Sequence, residues 1–175
     1  MKLIKTGFKD LVIIKTTNYS DNRGFFKEVY KEKLKKKKFI FDCMSVSKKN
    51  VIRGLHLQTK NPQGKLITVT KGEIFDVAVD LRNKSKTFGK VFRFKLRAGD
   101  VLVVPNNFAH GYECLSKDCV ILYHLDKYRS KSNESGIAYN DKDFKIKWKA
   151  KKPIISKRDK TNFSFYDFKK KIKSL

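Results

Sequence analysis

The sequence predicts a mainly β chain folded as a jelly-roll sandwich or barrel. Three observations predict it. Short apolar or alternating segments recur along the chain, turn residues separate them at close intervals, and a helical period is clear only in the tail. Leu11-Val12-Ile13-Ile14 is a short apolar run. Phe25 to Tyr30 mixes aromatic and charged residues, as an exposed or interface strand would. Lys65 to Thr70 alternates around Leu66, Ile67 and Val69, and Lys71-Gly72 then turns the chain. In Ile74 to Asp80, Ile74, Asp76, Ala78 and Asp80 fall on one side and Phe75, Val77 and Val79 on the other. Val91 to Leu96 alternates, Val101 to Val104 is stopped by Pro105, and Cys119 to Leu125 reads as a further strand. Phe165, Phe168 and Ile172 share helical spacing in the tail from Ser164 to Leu175, with Ser164 placed to cap it. A weaker helical signal covers Lys31 to Lys37.

With 175 residues the chain has the length of one domain, and residues 1–175 show no repeat or linker that would divide it. No apolar run approaches the roughly 20 residues that span a bilayer, and Met1 to Lys5 leads into polar sequence rather than a secretion signal. The expected location is cytoplasmic. Three cysteines without paired spacing fit that compartment. The formal charge of +25 would suit nucleic acid or an anionic surface. It is mostly Lys, however, spread over several stretches, and no module that reads nucleic acid by Arg and aromatics is present. The expectation is a solvated basic surface compatible with an anionic small-molecule substrate, with neither nucleic acid nor membrane as partner.

Two of the three histidines sit in informative settings, Arg53-Gly54-Leu55-His56-Leu57-Gln58 and Pro105-Asn106-Asn107-Phe108-Ala109-His110-Gly111. Gly99 to His110 has the layout of the second cupin motif, with Asn107 in place of a Gly whose left-handed conformation Asn tolerates. A cupin metal site calls for two His one residue apart, a carboxylate and a later His. Leu57-Gln58 follows His56, so no metal is expected.

The chain resembles the dTDP-4-dehydrorhamnose 3,5-epimerase family of RmlC-like cupins over nearly its full length. The matching blocks are Asp21 to Glu28, Arg53 to Gln58, Gly64 to Leu66, Asp76 to Arg82, Phe108 to Gly111, Leu122-Tyr123, Glu134 to Asp141 and Ile155 to Asp159. The resemblance implies a cupin jelly-roll with a short C-terminal helix and a cofactor-independent epimerase acting on a nucleotide-diphosphate 4-keto-6-deoxy sugar. It places His56 as base, Asp159 as its orienting partner and Tyr123 as the opposing acid. Lys65 stabilises the enolate oxygen, with His110 beside it. Arg53 and Arg23 match diphosphate-holding positions. Phe25 and Glu28 match positions that reach the base from a partner subunit, which implies a homodimer with shared sites. Asp80 and Arg82 read as turn organisers and His124 as structural.

The resemblance breaks at the recognition residues. Phe41 and Cys43 stand where the family carries Gln and Asn lining the nucleotide pocket, and Tyr128-Arg129 where it has two tyrosines at the pocket mouth. His124 stands where Lys is frequent. Exchanging hydrogen-bonding groups discriminates strongly between substrates. The open choices are therefore dTDP-4-keto-6-deoxyglucose or a GDP-4-keto-6-deoxy heptose, and inversion at C3, C5 or both, in lipopolysaccharide or capsule synthesis. Two rivals are a sugar-nucleotide 3,4-ketoisomerase, disfavoured by Leu57-Gln58, and a non-catalytic nucleotide-sugar-binding cupin, for which an acid–base pair has no use.

Overall fold

The computed structural model describes residues 1–32 and 37–173, the side chains of 172 and 173 excepted. The expected helix over Lys31 to Lys37 lies largely outside the described residues, as does the side chain of Ile172. Two antiparallel sheets carry the architecture. The first runs in the order β1 (Lys2–Lys5), β2 (Val12–Lys15), β10 (Val101–Val104), β7 (Lys65–Lys71), β12 (Asp118–Leu125) and β5 (Phe41–Lys48). The second runs β13 (Glu134–Gly136), β6 (Ile52–Gln58), β11 (Phe108–Cys114), β8 (Glu73–Asp80) and β9 (Val91–Arg97). This is the expected mainly β jelly-roll, in which non-consecutive strands lie side by side. A separate two-stranded hairpin pairs β3 (Asn18–Asp21) with β4 (Gly24–Lys27).

The alternation in β8 separates two apolar layers. Ile74 and Ala78 pack between the sheets with Ile67, Val69, Leu102, Phe108 and Ile121. Val77 and Val79 face outward, onto Leu55, Leu57, Phe144, Phe165 and Phe168. The C-terminal helix α2 (Phe165–Lys173) supplies the last two and thereby covers the second sheet. Ser164 caps it, its hydroxyl accepting from the Asp167 amide at 3.1 Å. Asp80 ends β8 by accepting from Arg82, Ser85 and Thr87, which ties the following turn to a fully buried carboxylate. Asn107 takes φ of 62°, the left-handed conformation anticipated for it.

One close approach positions the site. β6 and β11 cross at Gly54 and Gly111, where His110 lies opposite His56 and the register shifts just beyond. A Cβ on Gly54, whose φ is 122°, would stand 2.6 Å from the Gly111 Cα, and one on Gly111 would stand 2.6 Å from the Arg53 carbonyl oxygen. Only two glycines let these strands meet so closely.

Candidate active site

A cavity between the sheets is lined by Arg53 and His56 from β6, Lys65 from β7, His110 to Tyr112 from β11, Tyr123 from β12 and Cys43 from β5. Gln63, Leu125, Arg129 and Glu134 complete its wall. The periodicity of the strands accounts for this convergence. Residues two apart face the same side, so Cys43 and Tyr123, paired directly across β5 and β12, both point inward.

His56 is held from behind. Its Nε2 lies 2.5 Å from Asp159 Oδ1, and Asp159 Oδ2 accepts from the Gly54 amide at 3.2 Å. Asp159 is almost fully buried, in the short helix α1 (Lys157–Lys160), whose cap Ser156 accepts from the Asp159 amide. Burial alone would raise the Asp159 pKa, but the hydrogen bonds from His56, Gly54 and Ser156 outweigh it and hold the carboxyl below its usual range. The carboxylate therefore accepts Nε2–H, leaving Nδ1 as the ring nitrogen with a free lone pair. His110 is bound similarly, its Nε2 2.8 Å from Asp76 Oδ2 and both groups buried.

Lys65 and Tyr123 supply the other chemistry. The Lys65 ammonium donates to the His56 carbonyl oxygen at 3.3 Å, and burial draws its pKa down to about 8 despite the Glu134 and Asp76 carboxylates. It remains mostly charged at neutral pH. Burial pushes the Tyr123 phenol well above its ordinary value, so it keeps its proton at rest. A nitrogen base, a protonated phenol and a cation thus face one cavity, which is what proton exchange beside a ketone requires.

Of the binding residues read from sequence, Arg53 and Cys43 line this cavity. Phe41 and Tyr128 are not among the residues lining it; their rings lie 6.1 Å apart, centroid to centroid, and Tyr128 borders a neighbouring groove. Arg23, Phe25 and Glu28 lie outside the chain's own cavity. Arg23 pairs with Asp21, Glu28 with Lys31, and Phe25 is exposed on the hairpin. His124 pairs with Asp42 at the surface of β12 and β5. Sequence reasoning gave no role to Tyr112, Asp76 or Glu134. Glu134 accepts two hydrogen bonds from Arg129 and one from Arg158; although burial opposes it, this pairing takes its pKa down to about 2.

The family model described as dTDP-4-dehydrorhamnose 3,5-epimerase matches residues 5–167. The chain belongs to the dTDP-4-dehydrorhamnose 3,5-epimerase family. Within that family it is 39% identical to the dTDP-4-dehydrorhamnose 3,5-epimerase of Shigella flexneri over 176 residues, covering 95% of this chain and 97% of the relative. The Salmonella typhimurium enzyme of the same name is 41% identical, with 91% and 92% covered. Among solved structures, dTDP-6-deoxy-D-glucose-3,5-epimerase from Legionella pneumophila, in complex with dTDP-4-keto-L-rhamnose, superposes with a TM-score of 0.92 at 34% identity, covering 98% of this chain and 96% of that one. The Elizabethkingia anophelis family member gives 0.89 at 40% identity, with 95% and 97% covered. Among the described residues no helix is long and apolar enough to cross a membrane.

Proposed function

We propose that the chain is a 3,5-epimerase of a dTDP-linked 4-keto-6-deoxy sugar, working by acid–base chemistry through an enolate. The observation that carries this reading is the Asp159-held His56 facing the same cavity as the protonated Tyr123 and the half-buried Lys65. The ketone acidifies the neighbouring C–H bonds. His56 Nδ1 takes a proton from the carbon beside the ketone, and Asp159 stabilises the imidazolium that forms. The electron pair moves onto the ketone oxygen, where Lys65 meets the developing charge, with the His110–Asp76 pair beside it. Tyr123 returns a proton to the same carbon from the opposite face of the ring, inverting it. Solvent restores both groups, and a second round at the other carbon completes the reaction. No electrons are gained or lost overall, so the reaction calls for no redox cofactor. Arg53 holds the diphosphate, a role that suits its fork of donors.

Relatives named for dTDP sugars support the dTDP base over GDP. Cys43 and Arg129 in the cavity wall, with Phe41 two residues from Cys43 on β5, motivate the second reading, a GDP-linked 4-keto-6-deoxy heptose. Either product would serve surface polysaccharide synthesis in the cytoplasm. The proposed assembly is a homodimer in which the β3–β4 hairpin completes the neighbour's site. Supporting it, Tyr19, Phe25 and Phe26 are all more than half exposed on that hairpin.

The test is deuterium incorporation in heavy water with dTDP-4-keto-6-deoxyglucose and, separately, a GDP-4-keto-6-deoxy heptose. Exchange at C3 and C5 with the dTDP sugar is expected, and His56→Asn should abolish it. Exchange with the GDP heptose alone would transfer the assignment to that substrate. No exchange with either would leave a binding protein.

A further inference from the structure

β5 is the edge strand of the first sheet, and Ser47 is the only one of its residues that is buried. A hydroxyl taken out of water needs partners, and Ser47 has them in the opposite sheet. Its Oγ accepts from Arg53 Nε at 2.8 Å and lies 2.9 Å from the hydroxyl of Tyr112, itself buried. Arg53 Nη2 donates to the neighbouring Val46 carbonyl oxygen at 3.0 Å. Arg53 stands on β6, just beyond the turn that joins β5 to it. Its side chain reaches back across that turn and is fastened to β5 at both nitrogens.

The other arginine in the cavity wall is held differently. Arg129 pairs through Nε and Nη2 with the Glu134 carboxylate, which offsets its charge. The acceptors that hold Arg53 are a hydroxyl and a carbonyl, both neutral. They fix the plane of the guanidinium and leave its positive charge for an anion in the cavity. They also engage Nε and Nη2, so that Nη1 is left uncommitted among the described residues. A free arginine must give up its rotamer freedom when an anion binds, whereas a fastened one has already done so.

We infer that Ser47 is a positioning residue for substrate binding: it holds the Arg53 fork, without cancelling its charge, in the orientation that meets the diphosphate of the nucleotide sugar. This rests on the reading of Arg53 proposed above. Ser47 is not among the residues lining the cavity, so it acts through Arg53. The diphosphate is remote from the reacting carbons and is held equally before and during the reaction. Loss of Ser47 therefore belongs in KM and not in kcat.

The experiment measures dTDP binding by titration calorimetry, and KM and kcat for dTDP-4-keto-6-deoxyglucose. It compares wild type, Ser47→Ala, Arg53→Ala and the double variant, with thermal melts as a check on folding. Ser47→Cys, in which sulfur takes the place of the oxygen but accepts only weakly, repeats the comparison under reducing conditions should Ser47→Ala not fold. Ser47→Ala is expected to weaken dTDP binding about three- to tenfold, the range for freeing one long side chain. KM should rise by the same factor while kcat falls less than twofold. In the Arg53→Ala background the same substitution should weaken dTDP binding less than twofold, because its route to the ligand is gone. Unchanged dTDP affinity in Ser47→Ala, a loss that persists in full without Arg53, or a fall in kcat at constant KM would overturn the positioning role and leave the epimerase reading standing. A wild type that binds no dTDP would remove the dTDP reading together with it.

Discussion

Burial draws the Lys65 ammonium from 10.5 to about 8, against the opposing pull of Glu134, Asp76 and Cys43. A shift of that size corresponds to roughly 3 kcal/mol of disfavoured charge, an upper bound on what the residue costs the fold. The native state binds fewer protons than the unfolded chain between pH 8 and 10. The cost is therefore full below pH 8 and is lifted as pH rises toward the unfolded value. Two outcomes follow at this one residue. The kcat/KM profile should fall on its alkaline side with a midpoint near the free-enzyme value of about 8, as the cation proposed to meet the enolate is lost. Lys65→Met should raise the unfolding free energy by about 1–3 kcal/mol while lowering kcat by about 10²–10³. A melt showing Lys65→Met less stable than wild type would contradict the claim that the charge is held at a cost. The grouping of these residues was legible in sequence because their blocks are specific: His56, Lys65, His110 and Tyr123 all line one cavity, with Asp159 behind His56. Tyr112 was not legible, because every residue of β11 is buried and alternation there distinguishes no face.

Those residues are brought together by elements, and chiefly by the crossing of β6 and β11. Gly111 faces the Arg53 carbonyl and the Leu55 side chain so closely that a methyl group cannot enter without parting the strands. Gly111→Ala is expected to cost about 1–3 kcal/mol by overpacking. It should also lower kcat at least tenfold, since the strand carrying Arg53 and His56 moves relative to His110 by some fraction of an ångström. Denaturant midpoints and steady-state kinetics on the same preparation check both, and a variant with native stability and rate would show that the strands can part at no cost. The strands themselves were largely readable. Segments at Val12, Lys65, Glu73, Val91, Val101 and Asp118 coincide with apolar or alternating runs closed by turn residues. The stretch from Phe25 to Tyr30 was over-read, since β4 ends at Lys27. β1, with all four residues exposed, offers no buried face to detect and is fixed by pairing with β2. Arg23, Phe25 and Glu28 illustrate a different limit: they lie on, or directly after, a hairpin that belongs to neither sheet, and none of them lines the chain's own cavity.

Across the whole molecule, 42 basic residues against 17 acidic ones leave a formal charge of +25. Such an excess acts on two processes in opposite senses. It repels itself in the compact state, which destabilises the fold, and it attracts a nucleotide diphosphate toward a cavity already lined by Arg53, Lys65 and Arg129. Salt weakens both effects, since the Debye length shortens from about 30 Å at 0.01 M to about 8 Å at 0.15 M ionic strength. Raising monovalent salt from low to physiological strength should therefore raise the melting temperature by a few degrees, and lower kcat/KM about three- to tenfold through slower association. Single-turnover chemistry at saturating substrate should be unaffected, because Lys65, His56 and Asp159 interact at contact distance inside the fold, where screening is weak. Measuring all three on one salt series separates the contributions. A kcat/KM that holds constant while the melting temperature rises would assign substrate capture to the contact arginines alone and make the lysine-rich surface irrelevant to it. A single-turnover rate that falls with salt would instead mean that distant charge acts on the chemical step, contrary to the proposed local mechanism.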